Sequence, residues 1–205
     1  ATRLSRSLMC FARDSSRSMM RSLTLACSRR SRTIGAATSL TTSSWSWLAD
    51  WSLSADQRQT LFGALGLQWT PYRGTGVGVA VIDSGIDGSL PEFADRITAF
   101  YDFTDRGQSA APTDDYGHGT HIAGLIGAAG ITFRGIAPAV HFVGLKVLDA
   151  SGQGRTSDVI AALDFVVRHR AKLDVHVVNL SMGHPVLEPA ATDPLVQAVE
   201  RAVAA

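Results

Sequence analysis

The chain has 205 residues, 45% of them apolar, and a formal net charge of +1. That fits one globular domain with an extension, and no stretch reaches the ~18 consecutive apolar residues of a membrane-spanning helix. The small net charge conceals an asymmetry. Residues 1–40 carry eight Arg and one Asp, and residues 41–205 carry 11 Lys and Arg against 17 Asp and Glu.

Residues 1–44 therefore read as a basic Ser/Arg-rich leader, expected to be disordered. Its composition is that of an organelle transit peptide, of a nucleic-acid-binding arm, or of sequence outside the true reading frame. It lacks the apolar core of a secretory signal. No nucleic-acid partner is expected. Cys10 and Cys27 both fall in the leader, so the remainder has neither a disulfide nor a thiol nucleophile. Residues 45–72 hold Trp45, Trp47, Trp51 and Trp69 among several leucines, and read as a linker or a propeptide remnant. No convincing strand is expected in residues 1 to about 70.

From residue 73 the pattern alternates strand and helix. Strands are expected near 77–82, 97–102, 140–147 and 174–180, and helices near 118–129, 157–170 and 193–204. Thr156 or Ser157 is the expected cap of the second helix. Asp193 is the cap of the third, with Pro194 at its first position. Such alternation specifies an α/β fold with a doubly wound parallel sheet. A helix ending near Val203 should lead into another strand, so the sheet is expected to be incomplete at its C-terminus, with an unpaired, aggregation-prone edge at 175–180.

Two segments carry chemistry. The apolar run Val77–Ile82 delivers Asp83 to the C-terminal end of a strand, where open α/β sheets bind ligands. Ser84-Gly85 then allow a tight turn. His118 opens His118-Gly119-Thr120-His121-Ile122-Ala123-Gly124, whose small residues let a helix approach the sheet closely. A carboxylate that orients an imidazole makes the imidazole a general base for a hydroxyl nucleophile. No serine after His118 stands in a convincing nucleophile context.

Simpler readings compete. An Asp at a strand end is most often a turn residue, and Asp87 is expected to cap such a turn. Gly74-Thr-Gly-Val-Gly78 precedes its strand, whereas a dinucleotide fingerprint follows one. His118 and His121 with Asp114 and Asp115 lack the Glu of a His-Glu-x-x-His metal motif, so no metal ligands are assigned. His121 reads as structural. His141, His169, His176 and His184 show no partner pattern.

Taken together, the Asp-Ser-Gly and His-Gly-Thr-His segments resemble those of the subtilisin-like serine peptidases (subtilases, S8 peptidases). The resemblance covers about residues 74–205 and extends to Arg134-Gly-Ile-Ala-Pro138, Val143–Leu148 and Val177-Val-Asn-Leu-Ser-Met-Gly183. It implies a subtilisin-like catalytic domain over residues 73–205, present in its N-terminal part. Asp83 and His118 would be catalytic. Gly152, Gln153 and Gly154 on one side, with Ser181, Met182 and Gly183 on the other, would bind substrate. The implied reaction is peptide-bond hydrolysis, with the serine and the oxyanion-hole Asn missing from this chain. The implied partners are an extended polypeptide substrate, held by β-augmentation, and a propeptide. The family favours a secreted protein and often binds calcium. Residues 127–135 carry no carboxylate, so no calcium ligands are assigned. The alternatives are a peptide-binding pseudoenzyme and a nucleic-acid-associated protein on a decayed peptidase fold.

Overall fold

The computed structural model describes residues 10–12, 63–67, 70–130 and 133–205. Contacts divide the chain into two units, residues 1–15 with 72–205, and residues 16–71. In the second unit the described residues form turns, with Gly66 N–H donating to Gly63 O and Thr70 N–H to Leu67 O. The tryptophans at 45, 47, 51 and 69 and most of the leader lie outside the described residues.

The first unit is built on a six-stranded sheet: β1 (Cys10–Ala12), β2 (Gly78–Asp83), β3 (Ile97–Asp102), β4 (Gln108–Ser109), β5 (His141–Lys146) and β6 (Val175–Leu180). Their spatial order is β1-β6-β2-β5-β3-β4. The inner four run parallel, and β1 and β4 close the two sides antiparallel. The helices are α1 (His118–Gly127), α2 (Thr156–His169) and α3 (Pro194–Ala204), with a 3₁₀ turn at Pro91–Phe93.

Alternation along β2 explains the layering, since successive side chains of a strand take opposite faces. Ala80 and Ile82 join one apolar cluster with Val159, Leu163 and Val166 of α2 and Ala198 and Val199 of α3. Val79 and Val81 join another with Ala123 of α1, Phe93 and Phe142. All six residues of β2 are buried, as expected of a parallel strand covered on both faces. Burying one such Val or Ile stabilises the fold by roughly 1.5–3 kcal/mol.

Two expectations need correction. The sequence showed no strand before residue 70, yet Cys10–Ala12 pairs with Asn179–Val177 on the edge of β6. A three-residue strand is too short for a periodicity to register. At the start of α2 the cap position is Arg155, with no side-chain cap hydrogen bond. Thr156 and Ser157 are already helical there, and Ser157 Oγ bonds Asp158. Asp193 does cap α3, accepting from Leu195 N–H and Val196 N–H, with Pro194 in the first turn.

Arg96 is a further tie that no sequence pattern revealed. Its Nη1 donates to Gly127 O at 2.6 Å and Val140 O at 3.1 Å, and its Nη2 to Glu92 O. A guanidinium thus meets the last carbonyl of α1, where helices leave acceptors unpaired. Burial pulls its pKa below the ordinary guanidinium range.

Candidate active site

Asp83 ends β2, and β2 lies between β5 and β6 in the sheet. The carboxylate therefore emerges between the C-terminal ends of its two neighbours, at the end where open parallel sheets present ligands. It is fully buried. Oδ1 accepts from Ser84 N–H at 2.7 Å and from His118 Nδ1 at 2.7 Å. Oδ2 has no partner among the described residues.

His118 is the first residue of α1, and its side chain is one-third exposed. A carboxylate only accepts hydrogen bonds, so Nδ1 carries the proton of the neutral ring. Nε2 keeps its lone pair, and among the described residues nothing occupies it. Burial raises the pKa of Asp83 above 3.8, against opposing contributions first from the His118 bond and then from Ser84 N–H. The arrangement is a desolvated carboxylate holding one tautomer of an imidazole whose other nitrogen is open to accept a proton.

The close approach that permits this is set by Gly119. A Cβ there would lie 2.1 Å from Gly85 O and 3.0 Å from Asp83 Cβ. The helix sits directly on the turn after β2. Gly119 N–H donates to Ser84 Oγ at 2.9 Å, and Gly85 bridges Asp114 antiparallel.

Asp114 organises the start of α1. The cap position is Gly117, which offers no side chain. Asp114 substitutes for it. Its Oδ1 accepts from Tyr116 N–H and Gly117 N–H, and its Oδ2 from Thr120 N–H at 2.8 Å and Thr120 Oγ1 at 2.5 Å. Burial alone would raise its pKa. The bonds from Thr120, Gly117 and Ser84 outweigh that and hold it below 3.8. Thr120 Oγ1 in turn accepts from Asp87 N–H. Asp87 forms the anticipated turn, taking Ser89 N–H and Ser89 Oγ on Oδ1.

Lys146 also belongs to this region. It is buried, and its Nζ donates to Ser84 O at 2.9 Å and lies 3.4 Å from Asp115 Oδ2. Sequence reading weighed Asp114 only as a metal ligand and gave Thr120 and Lys146 no role of their own. Asp114 lies three residues before the cap position Gly117, so the ordinary capping pattern does not mark it. Nothing in the pattern of β5 marks a buried lysine.

The other candidates lie in the segments that follow β5 and β6. Gly152-Gln153-Gly154 form the turn after β5, with Gly154 bridging Leu148 and Asp149 Oδ1 accepting from Ser151 N–H and Gln153 N–H. Gly152 has φ +72°, and a Cβ there would strike the Tyr116 ring. Ser181-Met182-Gly183 follow β6 directly, with Ser181 Oγ on Asn179 Oδ1 and Met182 packed on the core. The two segments thus follow the strands on either side of β2.

His121 is lowered below 6.5 by burial and then by the charge of His118, which fits a neutral structural ring. The remaining histidines have partners that their sequence context did not announce. His141 and His176 both approach Asp174, His169 lies against Phe165, and His184 meets Asp193.

Among the described residues no group of three or more His, Cys, Asp or Glu could hold a metal ion. Among those residues, no helix is long and apolar enough to cross a membrane. A cavity of about 380 Å³ between α2, α3 and β6, lined by Leu163, Val178 and Val199 among others, contains neither Asp83 nor His118. Chemistry, not volume, locates the site.

Similarity to known proteins agrees with this geometry. The chain is 40% identical over 126 residues to the alkaline serine exoprotease A of Vibrio alginolyticus, covering 62% of this chain and 23% of that protein. It is 36% identical to the serine protease AprX of Bacillus subtilis (strain 168), covering 63% and 30%, and 42% identical to the extracellular serine proteinase of Thermus sp. (strain Rt41A), covering 66% and 31%. It therefore spans about a quarter to a third of the length of these relatives. The crystal structure of a cold adapted subtilisin-like serine proteinase superposes with a TM-score of 0.51 at 36% identity, covering 64% of this chain and 45% of the other. Residues 74–205, more than half of the chain, match the sequence model of the Subtilase family, and with its parallel sheet delivering Asp83 to His118 the chain belongs to that family of serine peptidases.

Proposed function

We propose that these residues supply the acid–base half of a peptide-bond hydrolase. The observation that carries the reading is the 2.7 Å contact between Asp83 Oδ1 and His118 Nδ1. Asp83 orients the ring, and Nε2 takes the proton of an attacking serine and returns it to the leaving amine. Gly152–Gly154 and Ser181–Gly183 form two edges between which an extended polypeptide lies, held by main-chain hydrogen bonds. The protein works outside the cell, a reading supported by its similarity to the extracellular serine proteinase of Thermus sp..

The nucleophile and the oxyanion donor come from outside these 205 residues. Of the serines after His118, Ser181 Oγ bonds Asn179, Ser157 Oγ bonds Asp158, and Ser151 lies in the turn built on Asp149, with its N–H donating to Asp149 Oδ1. The chain alone is then inactive, since losing one oxyanion donor already costs ~10²–10³ in rate.

The test is hydrolysis of an unfolded protein substrate together with labelling by a serine-directed phosphonate. The 205-residue chain should do neither. A longer polypeptide from the same coding DNA, carrying a downstream serine, should do both, and should lose on the order of 10⁴-fold or more in kcat on Asp83→Ala or His118→Ala. Labelling of the short chain would show a nucleophile within it. A longer polypeptide that binds peptides without cleaving them would establish the pseudoenzyme.

A further inference from the structure

The segment between β6 and α3 contains a second carboxylate–imidazole pair. His184 follows Gly183 directly, and Asp193 is the cap of α3. Residues 185–192 between them are all exposed, whereas Asp193 is 5% exposed and His184 is half-buried. Asp193 Oδ1 accepts from Leu195 N–H at 2.8 Å and from Val196 N–H at 3.3 Å. Oδ2 lies 3.2 Å from His184 Nε2. The far half of the loop is held by its own turn, with Thr192 N–H and Asp193 N–H on Pro189 O and Gln197 Nε2 on Ala191 O. Among the described residues, the polar contacts of the near half, residues 183–188, run through His184.

Both ring nitrogens of His184 face oxygen acceptors. Nδ1 is 2.8 Å from Pro185 O, and Nε2 faces the Asp193 carboxylate. Asp193 stands at a helix N-terminus, which favours negative charge. The 3.2 Å contact joins a loop to a buried helix cap.

We propose that His184 is a positioning residue for polypeptide substrate, fastening the Ser181–Gly183 edge to the start of α3. This rests on the reading of Ser181–Gly183 as a substrate edge. An edge that binds by main-chain hydrogen bonds must hold its own backbone still, because ordering it at the moment of binding subtracts from affinity. Ser181 and Met182 are anchored from the β6 side by Asn179 and by the core. Gly183 is exposed and has no side chain, so its conformation depends on its neighbours. His184 supplies the anchor on the far side.

Amide hydrogen exchange on the whole 205-residue chain tests this, with an alanine pentapeptide as ligand. His184→Leu should accelerate exchange at Met182 and Gly183 about tenfold and weaken the peptide by a similar factor, while Leu195 and Val196 stay protected. His184→Arg, which puts N–H donors opposite Asp193, should restore at least half of both losses. Asp193→Ser keeps a helix cap but removes the partner of His184, and should loosen residues 182 and 183 as His184→Leu does. Unchanged exchange at those residues in His184→Leu and Asp193→Ser, or failure of Arg to restore it, would overturn the proposal. Wild-type chain that binds no peptide, with exchange responding as described, would instead remove the substrate-edge reading and leave the fastening in place.

Discussion

Asp83 and Lys146 face each other on the last rung of the β2–β5 ladder, both buried, and they form no ion pair. The ammonium turns to Ser84 O and Asp115, and the carboxylate turns to His118. A lysine paired directly with Asp83 would compete with the imidazole for the same oxygens. Directed at the carbonyl one residue on, it fixes the turn that carries Asp83 and leaves the carboxylate to the ring. Lys146→Met keeps the bulk and orphans a buried carbonyl, which costs about 1–3 kcal/mol. Urea denaturation should show that loss, with Lys146→Arg losing less. An unchanged midpoint in Lys146→Met would mean that the bond to Ser84 O contributes nothing.

The raised pKa of Asp83 fixes the sign of its pH dependence. Burial disfavours its charged form, so the folded state holds this proton more tightly than the unfolded chain does. Its effect on stability is absent at low pH and becomes a cost as pH rises through the raised value. The carboxylate–imidazole bond, conversely, is lost as pH falls through that same value, above 3.8. Carbon NMR of the Asp83 carboxyl should find its midpoint above 3.8. Asp83→Asn should gain about 1 kcal/mol at pH 7, since Oδ2 is buried without a partner and a neutral group there costs less than a charged one. A loss of stability would show that the His118 bond outweighs the burial.

Asp114 has the opposite sign. Its pKa is depressed, so its contribution is present above 3.8 and is lost as pH falls through the lower folded value. Asp114→Ala removes the cap of α1 and should cost about 2 kcal/mol at neutral pH. The deficit relative to wild type should shrink in acid. Thermal melts of both proteins at pH 7 and pH 3 make the comparison, and a pH-independent deficit would assign the loss to packing.

Gly119→Ala tests the contact between helix and turn. The added carbon meets the Gly85 carbonyl, a backbone atom with no rotamer to escape into. The expected cost is about 3 kcal/mol, at the upper end for overpacking. The Asp83–His118 distance should also lengthen, visible as a shifted His118 Nδ1 proton resonance. A stable variant with an unshifted resonance would mean that α1 tolerates displacement.

Much of this was legible before the fold was known. β2 and β3 announce themselves as an unbroken apolar run and a run ending in an acid. Asp193 followed by Pro194 is a helix start that local chemistry nearly dictates, and the glycines of α1 predict its close seat on the sheet. The rest depends on long-range contacts. Lys146 is a surface residue by type, and only the position of Ser84 O explains its burial. His184 has no neighbour in sequence to pair with, and its partner is nine positions on, across a turn. Arg155 at the head of α2 shows a hydroxyl pair losing the capping position because the helix begins one residue earlier.

His118 lies 35 positions after Asp83, and the elements that hold the pair, β2, α1 and β5, are complete by Lys146. Chains leave the ribosome N-terminus first. Under the proposed chemistry, a nascent chain finishes its proton-transfer apparatus early and carries it harmlessly through the remainder of synthesis. On that proposal the pair cuts nothing until an attacking oxygen is supplied. Order of manufacture then acts as a safety catch, because any product released early holds a primed base with nothing to activate.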